Sequence, residues 1–334
     1  MKILVLGGTA WLGGQVVSAA LNRGHQVTCL ARGSAGGVPD GAVLVQADRT
    51  DLGAYDTVAA DRWDVAIDVS RQPGQVKSAV AALADQVGFY VFVSSGNVYA
   101  DHSTFGKDEG GALLPALAGD VLESMEMYGQ AKVACEQHVL EAFGPDRALI
   151  ARAGLIGGPG DISDRSGYWP LRFAHPATDD GTVLIPDTPD LPAQLIDVRD
   201  LASWLVDAAS RGIAGIFNTT GGTTSLSEFL AIARTVAGHH GTLVSAGTGW
   251  LLAHGVQEWM GERSLPLWLA DPEWAGFSAN DSSKAQRAGL STRPLEDTLA
   301  DTLAWEQSRE NNTARRAGLS DQDERALLTA VADD

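Results

Sequence analysis

Tyr128 and Lys132 stand four residues apart in the segment Tyr-Gly-Gln-Ala-Lys, a spacing that puts both side chains on one face of a helix. A phenol ordinarily titrates at about 10 and exchanges protons poorly at neutral pH. A neighbouring ammonium favours a phenolate, so such a pair is suited to giving or taking a proton at a carbonyl or an alcohol. Tyrosine–lysine pairs also arise by chance on helices, and the pair gains meaning only with its surroundings. Upstream, the apolar run Val91-Phe92-Val93 ends in Ser94-Ser95-Gly96, two hydroxyls at the carboxyl end of a strand. Ligands bind at that edge in open α/β sheets.

A second chemical signal lies at the start of the chain. Residues 3–6 form a short apolar run that passes directly into Gly7-Gly8-Thr9-Ala10-Trp11-Leu12-Gly13 and then into a helical pattern. A turn without bulk lets the backbone approach a pyrophosphate, and the helix behind it offers free N–H groups. The spacing is Gly7, Ala10, Gly13, with alanine in place of one of the usual three glycines. A tight turn needs no ligand, but the strand–turn–helix context points to a dinucleotide. Gly7, Thr9, Ala10, Trp11, Leu12 and Gly13 are therefore candidate cofactor residues. A nicotinamide bound there would carry the hydride while Tyr128 handles the proton.

NAD sites usually set a carboxylate near the end of the second strand to hold the ribose 2′-hydroxyl. Here that region reads Leu30-Ala31-Arg32-Gly33-Ser34. Arg32 and Ser34 suit a 2′-phosphate, which favours NADP(H) over NAD(H), although a solvated arginine in a surface turn would look the same. Asp48, after the third strand, is a candidate acceptor for the adenine amino group.

These residues need a scaffold. Strands are expected at residues 3–6, 27–30, 43–45, 65–69, 90–93 and 148–151, with helices near 51–60, 75–85 and 121–143. That alternation predicts an α/β fold, a Rossmann-type doubly wound parallel sheet. Residues 157–192 are rich in Gly, Pro and Asp and read as a lid, a substrate lobe or a surface loop. Strands return at 194–198 and 216–219 around a helix at 201–209. Ser225 and Glu228 form a capping box ahead of a helix through Val236. Later helices are expected at 295–305 and near the acidic C-terminus. The expected division is a dinucleotide-binding unit over residues 1–157 joined by 194–219, and a smaller substrate-binding lobe over 158–193 and 220–334.

Composition narrows the function classes. The 334 residues include 45% hydrophobic and 20% charged, as in ordinary globular domains. A net charge of −18 without any Lys/Arg cluster argues against nucleic acid or an anionic membrane surface as partner. Cys29 and Cys135 show no metal-ligand spacing and read as buried thiols, and no metal is expected. No apolar run reaches membrane-spanning length, and Lys2 is followed by too short an apolar stretch for a signal peptide. The expectation is a soluble, cytoplasmic protein with a small-molecule substrate.

Taken together, GGTAWLG, FVSSGNVYA and YGQAK resemble the extended short-chain dehydrogenase/reductase family, and more narrowly its atypical branch with a GGT-type turn. The family includes NAD-dependent epimerases, dehydratases and carbonyl reductases. The resemblance is dense over residues 1–157 and thinner through QLIDVRDLA and RPLEDTLADTLAW. It implies that Tyr128 is the catalytic acid/base, that Lys132 positions the nicotinamide ribose and tunes Tyr128, and that Ser95 hydrogen-bonds the reacting oxygen. Ser95 is preferred to Ser94 because it stands four residues before Tyr99. It also implies a homodimer through the helices at 75–85 and 121–143, whose apolar faces could equally serve the sheet alone.

Two departures bear on the substrate. Nucleotide-sugar members usually carry an arginine for the substrate diphosphate where this chain has Ala193, and an asparagine where it reads Arg152-Ala153-Gly154-Leu155. Arg199 or Arg165 could substitute for the former. Asp164, Arg165, Tyr168 and His175 are polar candidates near the site mouth. Tyr168-Trp169, Trp250, Trp259, Trp268 and Trp274 could line an apolar pocket or fill the core of the lobe. The reading favoured on these grounds is an NAD(P)-dependent carbonyl reductase or alcohol dehydrogenase. The alternative is a nucleotide-sugar epimerase or dehydratase with tightly bound NAD. A more distant rival, a non-catalytic dinucleotide sensor or RNA-binding relative, fits poorly with the retained Tyr–Lys pair.

Overall fold

A computed structural model of the chain describes residues 1–309 and 315–333. The first half is β1 (Lys2–Leu6), α1 (Trp11–Asn22), β2 (Gln26–Ala31), β3 (Val43–Gln46), α2 (Asp56–Ala59), β4 (Trp63–Asp68), α3 (Pro73–Leu83), β5 (Val87–Ser95), α4 (Tyr128–Phe143) and β6 (Ala148–Ala153). There follow β7 (Ile156–Gly157), α5 (Arg165–Ala174), β8 (Val183–Pro186), β9 (Pro192–Gln194), β10 (Ile196–Asp197), α6 (Val198–Ser210) and β11 (Gly215–Thr219). Then come β12 (Thr223–Ser225), α7 (Leu226–Val236), β13 (Leu243–Ala246), α8 (Thr248–Ala253), α9 (Ser283–Arg287), α10 (Leu295–Ser308) and α11 (Asp321–Asp333).

Seven strands form one sheet in the order β11-β6-β5-β4-β1-β2-β3, and every neighbouring pair is parallel. The chain winds outward from β1 to β3, then crosses back to β4 and winds the other way. The strand order therefore reverses between β1 and β4, which opens a crevice at their carboxyl ends. Alternation along each strand feeds two cores. Ile3, Val5, Ile67 and Val91 pack with Val16 and Val17 of α1 and Leu201 and Leu205 of α6. Leu4, Leu6, Ala66 and Phe92 pack on the other face with Val76 and Val80 of α3 and Val139 of α4. Cys29 and Cys135 lie inside these layers as free thiols, and burial pushes both up to about 12.

The C-terminal lobe has a core of its own, built from Tyr168, Trp169, Phe173, Phe229, Trp268 and Leu327. Short strands β8 and β13 pair in parallel beside it, and β9 and β12 antiparallel. The expected capping box is half-formed: Ser225 accepts the Glu228 backbone N–H at 3.1 Å. Among the described residues no helix is long and apolar enough to cross a membrane, and no cluster of three or more His, Cys, Asp or Glu is placed to hold a metal.

Three expectations require correction. The strand expected at 194–198 does not return to the sheet: it divides into β9 and β10, which pair with β12 and β7 instead. The helix near 51–60 shrinks to Asp56–Ala59, because Gly53 turns the chain at φ +76°. The helix at 121–143 begins only at Tyr128, preceded by a 3₁₀ turn over Met125–Met127 that Ser124 caps through the Glu126 N–H. Of the readings open for residues 157–192, the structure has a packed lobe rather than a surface loop. These residues contain α5, formed despite Pro170 in its interior because Tyr168, Trp169 and Phe173 are buried by it.

Candidate active site

The turn after β1 is shaped by contacts that exclude side chains. Gly7 has φ +99°, and a Cβ on Gly13 would stand 2.1 Å from the Gly7 carbonyl oxygen. Helix α1 therefore packs directly on the turn. Its N-cap, Ala10, offers no side-chain acceptor and the first turn holds no acidic residue, so the free N–H groups face outward uncompensated. They open on a groove of about 820 Å³ lined by Gly7, Thr9, Ala10, Arg32, Ser34, Asp48, Ser70 and Arg71. Leu12 packs against the sheet core and Gly13 is buried beneath the turn. Trp11 leaves the groove altogether: its indole N–H donates to the Pro159 carbonyl at 2.8 Å and its ring lines the next cavity.

Arg32 is largely exposed and stands 3.7 Å from the Asp48 carboxylate. Asp48 accepts from the N–H and hydroxyl of Thr50, at 3.0 and 2.7 Å. Those bonds, with the Arg32 charge, hold its carboxyl below the usual range. Under the groove, Arg49 makes a two-pronged ion pair with Asp68 at 2.8 and 2.7 Å. Asp68 also accepts from Tyr90 Oη and from the Ser70 N–H.

Ser70 connects this buried pair to Lys132 and Tyr128. The Lys132 ammonium donates to the carbonyls of Ser70 and Val93, each at 2.7 Å, and is almost wholly buried. It stands 5.9 Å from the centre of the Tyr128 ring. An ammonium has three N–H donors, so one remains without a protein partner among the described residues. Tyr128, Ser95 and Asn97 line a cleft of about 1150 Å³ next to the groove over the glycine turn. The two candidate serines separate by strand alternation. Ser94 turns inward and donates to Glu136 at 2.5 Å, whereas Ser95 opens to the cleft and is held by Asn97.

The far wall of the cleft comes from the lobe. Trp274 stacks on His102 at 4.4 Å between ring centres, and Phe277 stands edge-on to both Trp274 and Trp259. Of the tryptophans outside the first half, Trp259 and Trp274 line the cleft, whereas Trp169 and Trp268 fill the lobe core. Trp250 stacks on His254 against that core. Arg165 also lines the cleft.

The other polar candidates lie elsewhere. Asp164 is buried and binds Arg309 at 2.6 Å; Tyr168 is in the lobe core; His175 is exposed beyond α5. Arg199 is bound to Asp197 and Asp301, each at 2.7 Å, and so does not replace the cation missing at Ala193, itself buried in the lobe. Arg152 points into the interior, where it pairs with Glu136 and donates to Tyr99 Oη.

Some cleft residues have no signal in the sequence. His102 and Phe277 meet only because the loop around Gly276 docks on His102, its N–H donating to the His102 carbonyl at 2.8 Å. Arg71 could have been found: it follows β4 at the same carboxyl edge that singled out Ser95, and it borders both cavities.

The fold is shared with known enzymes. The UDP-N-acetylglucosamine 4-epimerase of Bacillus cereus matches with a TM-score of 0.66 and 17% identity, over 94% of this chain and 99% of that one. The UDP-glucose 4-epimerase of Bifidobacterium longum, solved with NAD+ and UDP, matches at 0.65 and 17%, over 94% and 100%. The UDP-N-acetylglucosamine 4-epimerase of Methanobrevibacter ruminantium M1, solved with UDP-N-acetylmuramic acid, matches at 0.66 and 17%, over 92% and 99%. A search of curated protein sequences returned no match. The family model for NAD dependent epimerases and dehydratases matches residues 3–218, the whole span from β1 into β11. The glycine turn, the Tyr–Lys pair and the strand order all fall within that match, and the chain belongs to the NAD-dependent epimerase/dehydratase family.

Proposed function

We propose that the protein is an NAD-linked epimerase or dehydratase acting on a hydroxylated small molecule, with Tyr128 moving the substrate proton. The observation that carries this reading is the anchoring of Lys132 by two backbone carbonyls, with one N–H left over beside Tyr128 at the seam between groove and cleft. The turn fits a dinucleotide, since side chains at Gly7 and Gly13 would fill the cradle and α1 leaves its N–H groups unpaired. In this assignment the α1 terminus holds the pyrophosphate, Asp48 the adenosine end and Lys132 the nicotinamide ribose. Bound NAD supplies hydride acceptance and return within one cycle. Tyr128 takes the substrate hydroxyl proton and later returns one. Ser95 turns its hydroxyl from Asn97 Oδ1 to the substrate oxygen, while the Asn97 N–H keeps its hold on Ser95 Oγ.

The family match supports this reading over a free-standing carbonyl reductase. The reductase remains the second reading, because Ala193 supplies no diphosphate cation. The two differ in what the protein carries. Protein denatured directly after purification is expected to release stoichiometric NAD, measured by enzymatic cycling of the supernatant. Empty protein that then turns over NADPH would reverse the order of the two readings.

Arg32 alone suits NADP(H), but with an ionised Asp48 beside it a 2′-phosphate would meet a carboxylate as well as a guanidinium. NADH is therefore expected to bind more tightly than NADPH, and Asp48→Asn to narrow the gap. Titration of protein stripped of cofactor, followed by nicotinamide fluorescence, checks both; NADPH binding as tightly as NADH in the parent would restore the NADP preference.

A further inference from the structure

We propose that Arg165 and Trp259 form the specificity site of the cleft, taking a flat or ring-shaped substrate that carries an anionic group, carboxylate or phosphate ester, close to the reacting carbon. The inference rests on the preceding reading for what happens at that carbon, but not for the binding itself. Arg165 lies in the cleft with Tyr128, its guanidinium 5.4 Å from the centre of the Trp259 ring. Among the described residues its one hydrogen bond is from Nε to Ser163 Oγ at 3.1 Å, which leaves both terminal nitrogens for a ligand.

Most other buried or half-buried arginines are spent on carboxylates, among them Arg49 on Asp68, Arg152 on Glu136, Arg172 on Glu324, Arg199 on Asp197 and Arg309 on Asp164, while Arg234 donates to the backbone carbonyls of His239 and Gly241. Arg165 makes no ion pair among the described residues. The carboxylate that acts on it, Asp161, is already engaged by the N–H of Ser163 and by the N–H and hydroxyl of Ser166. Burial pushes the guanidinium down, partly offset by Asp161 and Tyr128. A cation so placed gains from an incoming anion, and a planar guanidinium takes a carboxylate or phosphate through paired N–H donors.

The backbone gives a second, independent sign. Only three described non-glycine residues adopt left-handed backbone: Asp164 at φ 62°, Trp259 at 63° and Leu267 at 70°. Two of the three set up this pair, one immediately before Arg165 and the other Trp259 itself. A tryptophan in that region is strained and persists only where surrounding contacts enforce it, a pattern that concentrates at functional sites. Those contacts are present. Asp164 is pinned by Arg309 and by the Arg316 N–H at 2.8 Å, and the Trp259 N–H donates to the Trp268 carbonyl at 3.1 Å. Phe277 and Trp274 then continue the aromatic wall to His102, which burial first and Lys107 second push down to about 4. A neutral imidazole there does not compete for the anion. Arg71, the cleft's other arginine, borders the cofactor groove too and is assigned to that side.

The test is a titration of the NAD-loaded full chain, followed by tryptophan fluorescence, with benzoate, phenyl phosphate, benzamide and acetate. Benzoate or phenyl phosphate is expected to bind at least about 10-fold more tightly than benzamide, the scale of a charge-assisted contact. Acetate, lacking the ring, should bind more weakly than benzoate. Arg165→Gln should abolish the preference for the anion and Arg165→Lys should keep part of it. The stronger of benzoate and phenyl phosphate tells which anion the site is built for. Benzamide binding as tightly as both anions in the parent protein overturns the proposal without need of a variant. So does a preference that survives in folded Arg165→Gln. Because no turnover is required, these outcomes stand apart from the catalytic reading, which Tyr128→Phe tests.

Discussion

Tyr128→Phe is expected to lower turnover by about 10²- to 10⁴-fold, the range carried by a positioned acid/base, while NAD binding changes little. The substitution removes one oxygen and keeps the ring. Lys132 is held by the carbonyls of Ser70 and Val93, neither of which depends on the Tyr128 hydroxyl. The end of the groove assigned to the nicotinamide is therefore expected to stay intact. Lys132→Met should behave differently. It orphans two carbonyls and removes the donor assigned to the ribose, so NAD affinity and turnover fall together. The measurement is stoichiometry and affinity of NAD beside the rate of substrate-dependent reduction of the bound cofactor. A Tyr128→Phe protein as active as its parent would remove Tyr128 from the mechanism.

The second large effect is on stability. Arg49→Met should cost about 3–5 kcal/mol, because it leaves the Asp68 carboxylate buried without its cation. Asp68 is fully buried and accepts two bonds from Arg49, one from Tyr90 and one from the Ser70 N–H. Tyr90 donates a single neutral O–H to Asp68 and carries no positive charge, so it cannot take over the role of Arg49. Removing both charges in Arg49→Met with Asp68→Leu should recover part of the loss, since an apolar pair of similar volume carries no desolvation penalty. Urea denaturation gives both numbers. A loss below about 1 kcal/mol for the single variant would mean that water reaches Asp68 and the pair is not the anchor described here. Ser70 links this result to function. Its N–H is held by Asp68 and its carbonyl holds Lys132, so the single variant should also loosen NAD.

Much of this was legible in the sequence because it is local. An apolar run such as residues 3–6 followed by Gly7-Gly8 and a helical pattern allows few geometries, and the structure has the expected strand, turn and helix there. Period-two alternation likewise separates Ser94 from Ser95, although the sequence does not say which of the two faces Glu136. Helix ends were less legible. The start of α4 depends on a 3₁₀ turn capped by Ser124, and α5 forms around Pro170 because burial of three aromatic residues outweighs local propensity.

The sequence by itself determined the alternating strands and helices from which a doubly wound sheet is inferred, the glycine turn and the Tyr128–Lys132 pair, since each of these pieces is specified by residues within a few positions of one another. Tertiary structure alone decided which charges face the cleft. Asp164 and Arg165 are neighbours in the chain, yet one is buried against Arg309 while the other borders the cleft under Trp259. Arg199 is lost to Asp197 and Asp301, and Trp169 fills the lobe core while Trp259, packed against that core, lines the cleft. The partners in these cases lie up to 145 positions away in sequence, as Asp164 does from Arg309. A charged or aromatic residue is committed to the interior or left for a ligand by the partner it meets, and that partner is set by packing rather than by spacing.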